Sequence, residues 1–181
     1  MKEEFLTLYH GTPGSRARDI ISTGRISCRA TSMMKVYDEL KTTPGFVYLT
    51  INPSVAVYYG NMLAVVHREE VFNIYQLTIA TSDLETDYDE LCMRFSFQQG
   101  QTCSLAESLN TTQCCRISRD LLLGREVTHR VEFASNISRE RSPLVNQLLA
   151  LRRRPDLEDA KNLSGQLAWQ SIEGHPEKRG R

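Results

Sequence analysis

A chain of 181 residues, 40% of them hydrophobic, is long enough to bury a core without metal or disulfide staples and short enough to expect one domain. Its 22 basic and 22 acidic side chains cancel, which excludes a strong overall field drawing it to nucleic acid, and no stretch has the apolar length of a membrane span. Five cysteines, an odd number with no metal-ligand spacing, read as reduced thiols in a cytoplasm, and "MKEEFLTLYHG" lacks the apolar run of a signal peptide.

In chain order, "FLTLYHG" alternates as a strand, with Phe5, Thr7 and Tyr9 on one face and Leu6, Leu8 and His10 on the other, and is expected to end at His10. "PGSRARDIISTG" follows as a short helix, with Ala17, Ile20 and Ile21 at helical spacing and Gly24 as its C-terminal cap. The stretch from Arg25 to Gly45 reads as a short strand and a variable loop. "FVYLT" is a strand, and Asn52 with Pro53 opens the helix "PSVAVYYGNMLAVVHREE". "VFNIYQLTIA" is apolar on both faces and is expected inside the sheet. Residues 82 to 112 read as an elaborated polar loop with one helix near 104–109, and "QCCRIS" and "HRVEFAS" as late strands. Pro143 and Pro155 bracket the helix "LVNQLLALRRR", a second helix covers "LEDAKNLSGQLAWQSI" with Trp169, and "EGHPEKRGR" reads as a disordered tail. The expected division is a core domain over 1–142, a helical extension over 143–172 and a tail over 173–181.

Chemistry concentrates at two places. A glycine directly after His10 lets a ligand approach the backbone closely, and the imidazole both donates and accepts hydrogen bonds. In "GFVYLTINPSVAVYYG", Tyr48 lies on a strand and Tyr59 eleven residues later on the next helix; with the helix folded back, two rings stand ready to sandwich a flat heterocycle. In isolation, a histidine at a strand end is an ordinary polar residue, and paired helix tyrosines are ordinary core and rim.

Together, "LYHGTPGSRARDIISTGRI" and "GFVYLTINPSVAVYYG" resemble the first and second motifs of the histidine-tyrosine-glutamate ADP-ribosyltransferases, the class of poly-ADP-ribose polymerases and diphtheria-like toxins. The resemblance implies an α/β (α+β) fold with a split, mostly antiparallel sheet and flanking helices. It implies NAD as substrate and no metal. His10 would bond the adenine-side ribose, the Gly11 backbone would bond the nicotinamide amide, and Tyr48 and Tyr59 would stack on the nicotinamide. Tyr9, Thr12 and Ala56 fall in the same binding segments, with Ala56 standing where a serine is common.

The family glutamate at the start of a late strand has no direct match, and the best aligned residue is Gln113. A glutamine can hold a ribose hydroxyl but brings no negative charge, a replacement that in the family goes with transfer of a single ADP-ribose. Glu132, and after it Glu126, are the alternative carboxylates, which leaves His10, Tyr48, Gln113 and Glu132 as the catalytic candidates. Arg116, Arg119, Arg125 and Arg130 are candidates for a basic rim beside the cleft. The expected activity is mono-ADP-ribosyl transfer to a macromolecular acceptor, protein or nucleic acid, by a toxin, effector or defence enzyme with a neutralising partner. The competing readings are an inactive NAD or ADP-ribose binder and an RNA 2′-phosphotransferase-like enzyme.

Overall fold

A computed structural model describes residues 3–30, 42–98, 101–140, 142–152 and 156–173. The middle of the expected variable loop, Pro155 and all but the first residue of the expected tail lie outside the described residues. The architecture is mixed α+β, a mostly antiparallel seven-stranded sheet flanked among the described residues by six helices. Its strands are β1 (Phe5–Pro13), β3 (Val47–Thr50), β4 (Val71–Ala80), β5 (Glu85–Thr86), β6 (Cys114–Ile117), β8 (Val127–Ala134) and β9 (Gln170–Ser171), in the order β5-β6-β3-β1-β4-β8-β9. β2 (Arg25–Ile26) and β7 (Leu121–Leu122) form a small second sheet. The helices are α1 (Gly14–Thr23), α2 (Pro53–Val66), α3 (Tyr88–Phe95), α4 (Leu105–Thr111), α5 (Pro143–Leu151) and α6 (Leu157–Ser164). Among the described residues no helix is long and apolar enough to cross a membrane.

The period-two patterning of β4 divides the core between two faces. Tyr75, Leu77 and Ile79 join Leu8, Val47, Leu49 and Ile117 under α1, while Phe72 and Ile74 join Val131, Phe133 and the inner residues of α2 and α5 on the other side. β8 serves both cores because its register with β4 shifts between Gln76 and Leu77, which puts Val127 under α1 although Val131 and Phe133 face α2. The segment 143–172 is part of this body: Val145 and Leu148 of α5 share the α2 core, and β9 pairs with β8.

Three expectations require correction. β1 does not end at His10; it runs through Gly11 and Thr12 to Pro13, paired with β4 all the way. The region 82–112 holds β5 and α3 besides α4; α3 is a short helix of eight residues in a polar stretch, with Leu91 its one fully buried apolar residue. Capping chemistry starts it: the Asp87 side chain accepts the Glu90 N–H, acidic residues fill the first turn and Arg94 lies in the last. The final helix stops at Ser164, so Trp169 lies beyond it, its indole N–H bonded to the Ser164 carbonyl at 2.9 Å and its ring against Tyr9. α1 and its αL cap at Gly24 are as expected, as is α4, which begins with a capping box between Ser104 and Glu107.

α2 determines what the sheet can carry. Asn52 caps it by accepting from the Ser54 N–H, Pro53 occupies its first turn, and the helix then crosses β1 at backbone contact. A Cβ on Gly11 would stand 2.0 Å from the Ala56 carbonyl oxygen and 2.9 Å from the Gly60 nitrogen. On Gly60 it would stand 2.8 Å from the Phe72 ring. Gly11→Ala therefore forces α2 off the sheet, and urea unfolding should show a loss of more than about 2 kcal/mol, in the range of severe overpacking.

Candidate functional site

β1 and β3 are neighbours in the sheet, yet among the described residues they share one register pair, Tyr9 with Thr50. Beyond it the strands diverge. His10 and Gly11 on β1 and Tyr48 on β3 lie on the open side of that pair, and a cavity occupies the split. α2 contributes Ala56 and Tyr59 to its wall, and the start of α3 contributes Asp87, Asp89 and Glu90.

His10 bridges the split: its Nδ1 lies 3.0 Å from the Tyr48 carbonyl oxygen. A carbonyl can only accept, so Nδ1 carries the proton and Nε2 is the acceptor of a neutral ring. Burial lowers the His10 pKa against the pull of this bond, and the nearby Arg16 charge lowers it further. His10 is thus a fixed acceptor rather than a cation at neutral pH.

Tyr48 and Tyr59 point at successive carboxylates of one helix. The Tyr48 hydroxyl donates to Asp89, which also accepts from the Thr43 N–H at 2.7 Å and the Thr43 hydroxyl at 2.9 Å and pairs with Arg116 at 3.7 Å. The Tyr59 hydroxyl donates to Glu90, a carboxylate whose side chain is 3% exposed and which is flanked by Arg94 at 3.3 Å and Arg152 at 3.9 Å. Burial first, and then these carboxylates, push both phenol pKa values well up, so both rings remain neutral donors of fixed orientation.

Asp87, between β5 and α3, has a different environment. Burial pushes its carboxyl up to about 7; the Glu90 N–H bond opposes this, the Glu90 and Asp89 charges reinforce it, and Arg116 opposes it. Sequence reasoning missed Asp87, Asp89 and Glu90 as site residues because "DLETDYDEL" reads as polar loop; the available signal was an Asp with Glu three residues on, a helix-start pattern.

Of the residues singled out in the sequence, Tyr9, His10, Gly11, Thr12, Tyr48, Ala56 and Tyr59 all line this cavity. Two of them also do structural work: the Tyr9 ring leans on Trp169, and Gly11 lacks a side chain because the α2 backbone fills that space, a reason other than the ligand approach expected of it. Gln113 and Glu132 are not among the described residues that line the cavity. Gln113, at φ 63°, directs its side-chain oxygen to the Asn52 amide at 2.6 Å, and its carbonyl accepts from Ile51 N–H and the Thr50 hydroxyl. It holds the β3–α2 turn. Glu132 is exposed on β8, with β1 and β4 between it and β3, and accepts from Asn73 at 3.3 Å. Glu126 is bound to Arg119 and the Leu122 N–H. The expected basic rim is absent among the described residues: Arg116 pairs with Asp89, Arg119 with Asp83 and Glu126, Arg125 with Glu126, and Arg130 lies on β8 opposite Tyr75.

No protein-family model and no curated protein sequence matches the chain.

The buried Asp87 carboxyl sets a pH dependence. Its folded pKa of about 7 exceeds the ordinary 3.8, so the folded state holds this proton more tightly than the unfolded chain does. Its contribution to stability is fully present below pH 3.8 and is lost as the pH rises toward and through 7. Asp87→Asn removes the cost of burying the charge. Thermal unfolding should find the variant more stable than wild type at pH 8, by up to roughly 4 kcal/mol, with the gain shrinking steadily toward pH 5.

Proposed function

We propose that the chain is a mono-ADP-ribosyltransferase that binds NAD in the split between β1 and β3. One observation carries the reading: the four residues matched to NAD contacts, His10, Gly11, Tyr48 and Tyr59, line a single cavity at the open end of that split together with Tyr9, Thr12 and Ala56 of the same segments. The nicotinamide lies between Tyr48 and Tyr59, whose hydroxyls Asp89 and Glu90 hold in place before any substrate arrives. Nε2 of neutral His10 accepts from a ribose hydroxyl, because Nδ1 is committed to the Tyr48 carbonyl. The nicotinamide–ribose bond then breaks with its electron pair passing to the ring nitrogen, the anomeric carbon becomes oxocarbenium-like, and the acceptor's nucleophile attacks it. The acceptor is a macromolecule, protein or nucleic acid, and the setting is that of a cytoplasmic toxin, effector or defence enzyme with a neutralising partner over the cleft.

A second reading, an NAD or ADP-ribose binder without turnover, draws on one observation: Gln113 stands at the third family position and is turned to Asn52. Nicotinamide release separates the two. With NAD labelled in its adenylate half and lysate protein, RNA or DNA offered in turn, label is expected on one acceptor class. His10→Ala and Tyr48→Ala should each lower release by about 100-fold or more, the usual cost of losing a positioned polar contact to the reacting center. Wild-type protein that NAD protects against heat but that releases no nicotinamide with any acceptor is a binder.

A further inference from the structure

From the placement of carboxylates around the cavity, and resting on the transferase reading, we infer that Asp87 is the carboxylate of the transfer step. It would face the cationic anomeric carbon and take the acceptor's proton. Such a step needs a negative charge beside that carbon, and Gln113, the residue aligned with the family glutamate, is neither charged nor at the cavity. Among the described residues three carboxylates line it, all at the start of α3. Asp89 is committed to the Tyr48 hydroxyl, to both donors of Thr43 and to Arg116. Glu90 is committed to the Tyr59 hydroxyl and lies beside Arg94 and Arg152.

Asp87 alone of the three keeps an oxygen in reserve. Its Oδ1 accepts the Glu90 N–H at 3.0 Å, and Oδ2 has no hydrogen-bond partner among the described residues, although the residue is 3% exposed. The sheet puts it where the glutamate would be needed, one strand over. The last ladder pair of β5 is Thr86 with Cys115, so Asp87 follows beside Cys114, and Cys114 pairs with Thr50, which pairs with Tyr9. The row of Asp87, Cys114, Thr50 and Tyr9 thus crosses the sheet at the mouth of the split. Its backbone is held by the Ser108 hydroxyl, which accepts the Asp87 N–H at 3.4 Å and donates to the Cys114 carbonyl at 3.0 Å.

The balance is complete without a further reagent. The C–N glycosidic bond breaks and its electron pair neutralises the nicotinamide ring; the acceptor's heteroatom bonds to the anomeric carbon; the acceptor's proton passes to Asp87 Oδ2 and on to solvent.

The test compares wild type with Asp87→Asn, which keeps the helix cap because an asparagine oxygen accepts the same N–H. NAD affinity is read from thermal shift and titration, and kcat for nicotinamide release is followed from pH 5.5 to 9. The groups facing Asp87 are Asp89 and Glu90 on its own helix, Cys114, Cys115 and Arg116 on β6, and Tyr48 on β3. The expected result is a wild-type kcat that rises with pH through the neutral range to a plateau. In the variant, kcat should fall by about 100-fold or more and lose that limb, while NAD binds within about threefold of wild type. A variant that keeps kcat and the limb overturns the assignment of Asp87 and leaves the transferase reading standing. Wild-type protein that neither binds nor cleaves NAD overturns that reading itself, and wild type that binds without cleaving leaves a binder in which Asp87 has no catalytic part.

Discussion

The backbone of α2 lies directly on β1, and the rest of the site depends on that contact. Gly11 and Gly60 remove the two side chains that would hold helix and strand apart, so the Ala56 carbonyl and the Gly60 nitrogen sit against the strand where a Cβ would be. At that spacing Tyr59 stands over the same opening as His10, and Ala56 forms part of the wall between them. The two edges of β1 are engaged unequally. β1 is paired with β4 along its whole length, while β3, tied down by the Asn52–Gln113 and Thr50–Gln113 bonds at its Thr50 end, meets β1 only at that end.

The second determinant is the first turn of α3. Asp89 and Glu90 are adjacent in sequence, and a helical turn aims them at two tyrosines from different elements. Each carboxylate is buried or nearly so, and each is matched by an arginine and by hydroxyl or backbone donors, which is the condition under which buried charge is tolerable. The rings of Tyr48 and Tyr59 are thereby oriented without ligand. Holding both hydroxyls in this way occupies Asp89 and Glu90, while Oδ2 of the cap residue Asp87 has no hydrogen-bond partner among the described residues.

Much of this was readable from the chain. The alternation of 5–10 and 71–80, the Asn-Pro start at 52–53, the Gly24 cap and the Ser104 start each follow from a local rule that the structure obeys. The histidine-glycine and paired-tyrosine segments marked the residues of one cavity before any contact was known. What failed, failed for physical reasons. α3 is eight residues long, buries a single large apolar residue and is held by caps and ion pairs, so its apolar stripe is short and lies inside a polar stretch. Glu132 looked like a carboxylate on a late strand, and whether such a residue reaches the cavity depends on strand order; β8 lies beyond β4, away from β3. The arginines looked like a rim because their partners, Asp83, Asp89 and Glu126, are in other segments or in a turn.

By itself, the sequence determined the elements whose period or caps are local and the two segments that carry the aromatic and imidazole groups of the cavity, since these are written in neighbouring residues, and the resemblance of those two segments implied the α+β class that the structure has. Only the tertiary structure decided that β1 and β3 part after one pair, that Gly11 serves helix packing, and that the carboxylates of the cavity come from α3. These are outcomes of register and strand order between segments distant in the chain, and no local pattern of side chains encodes them.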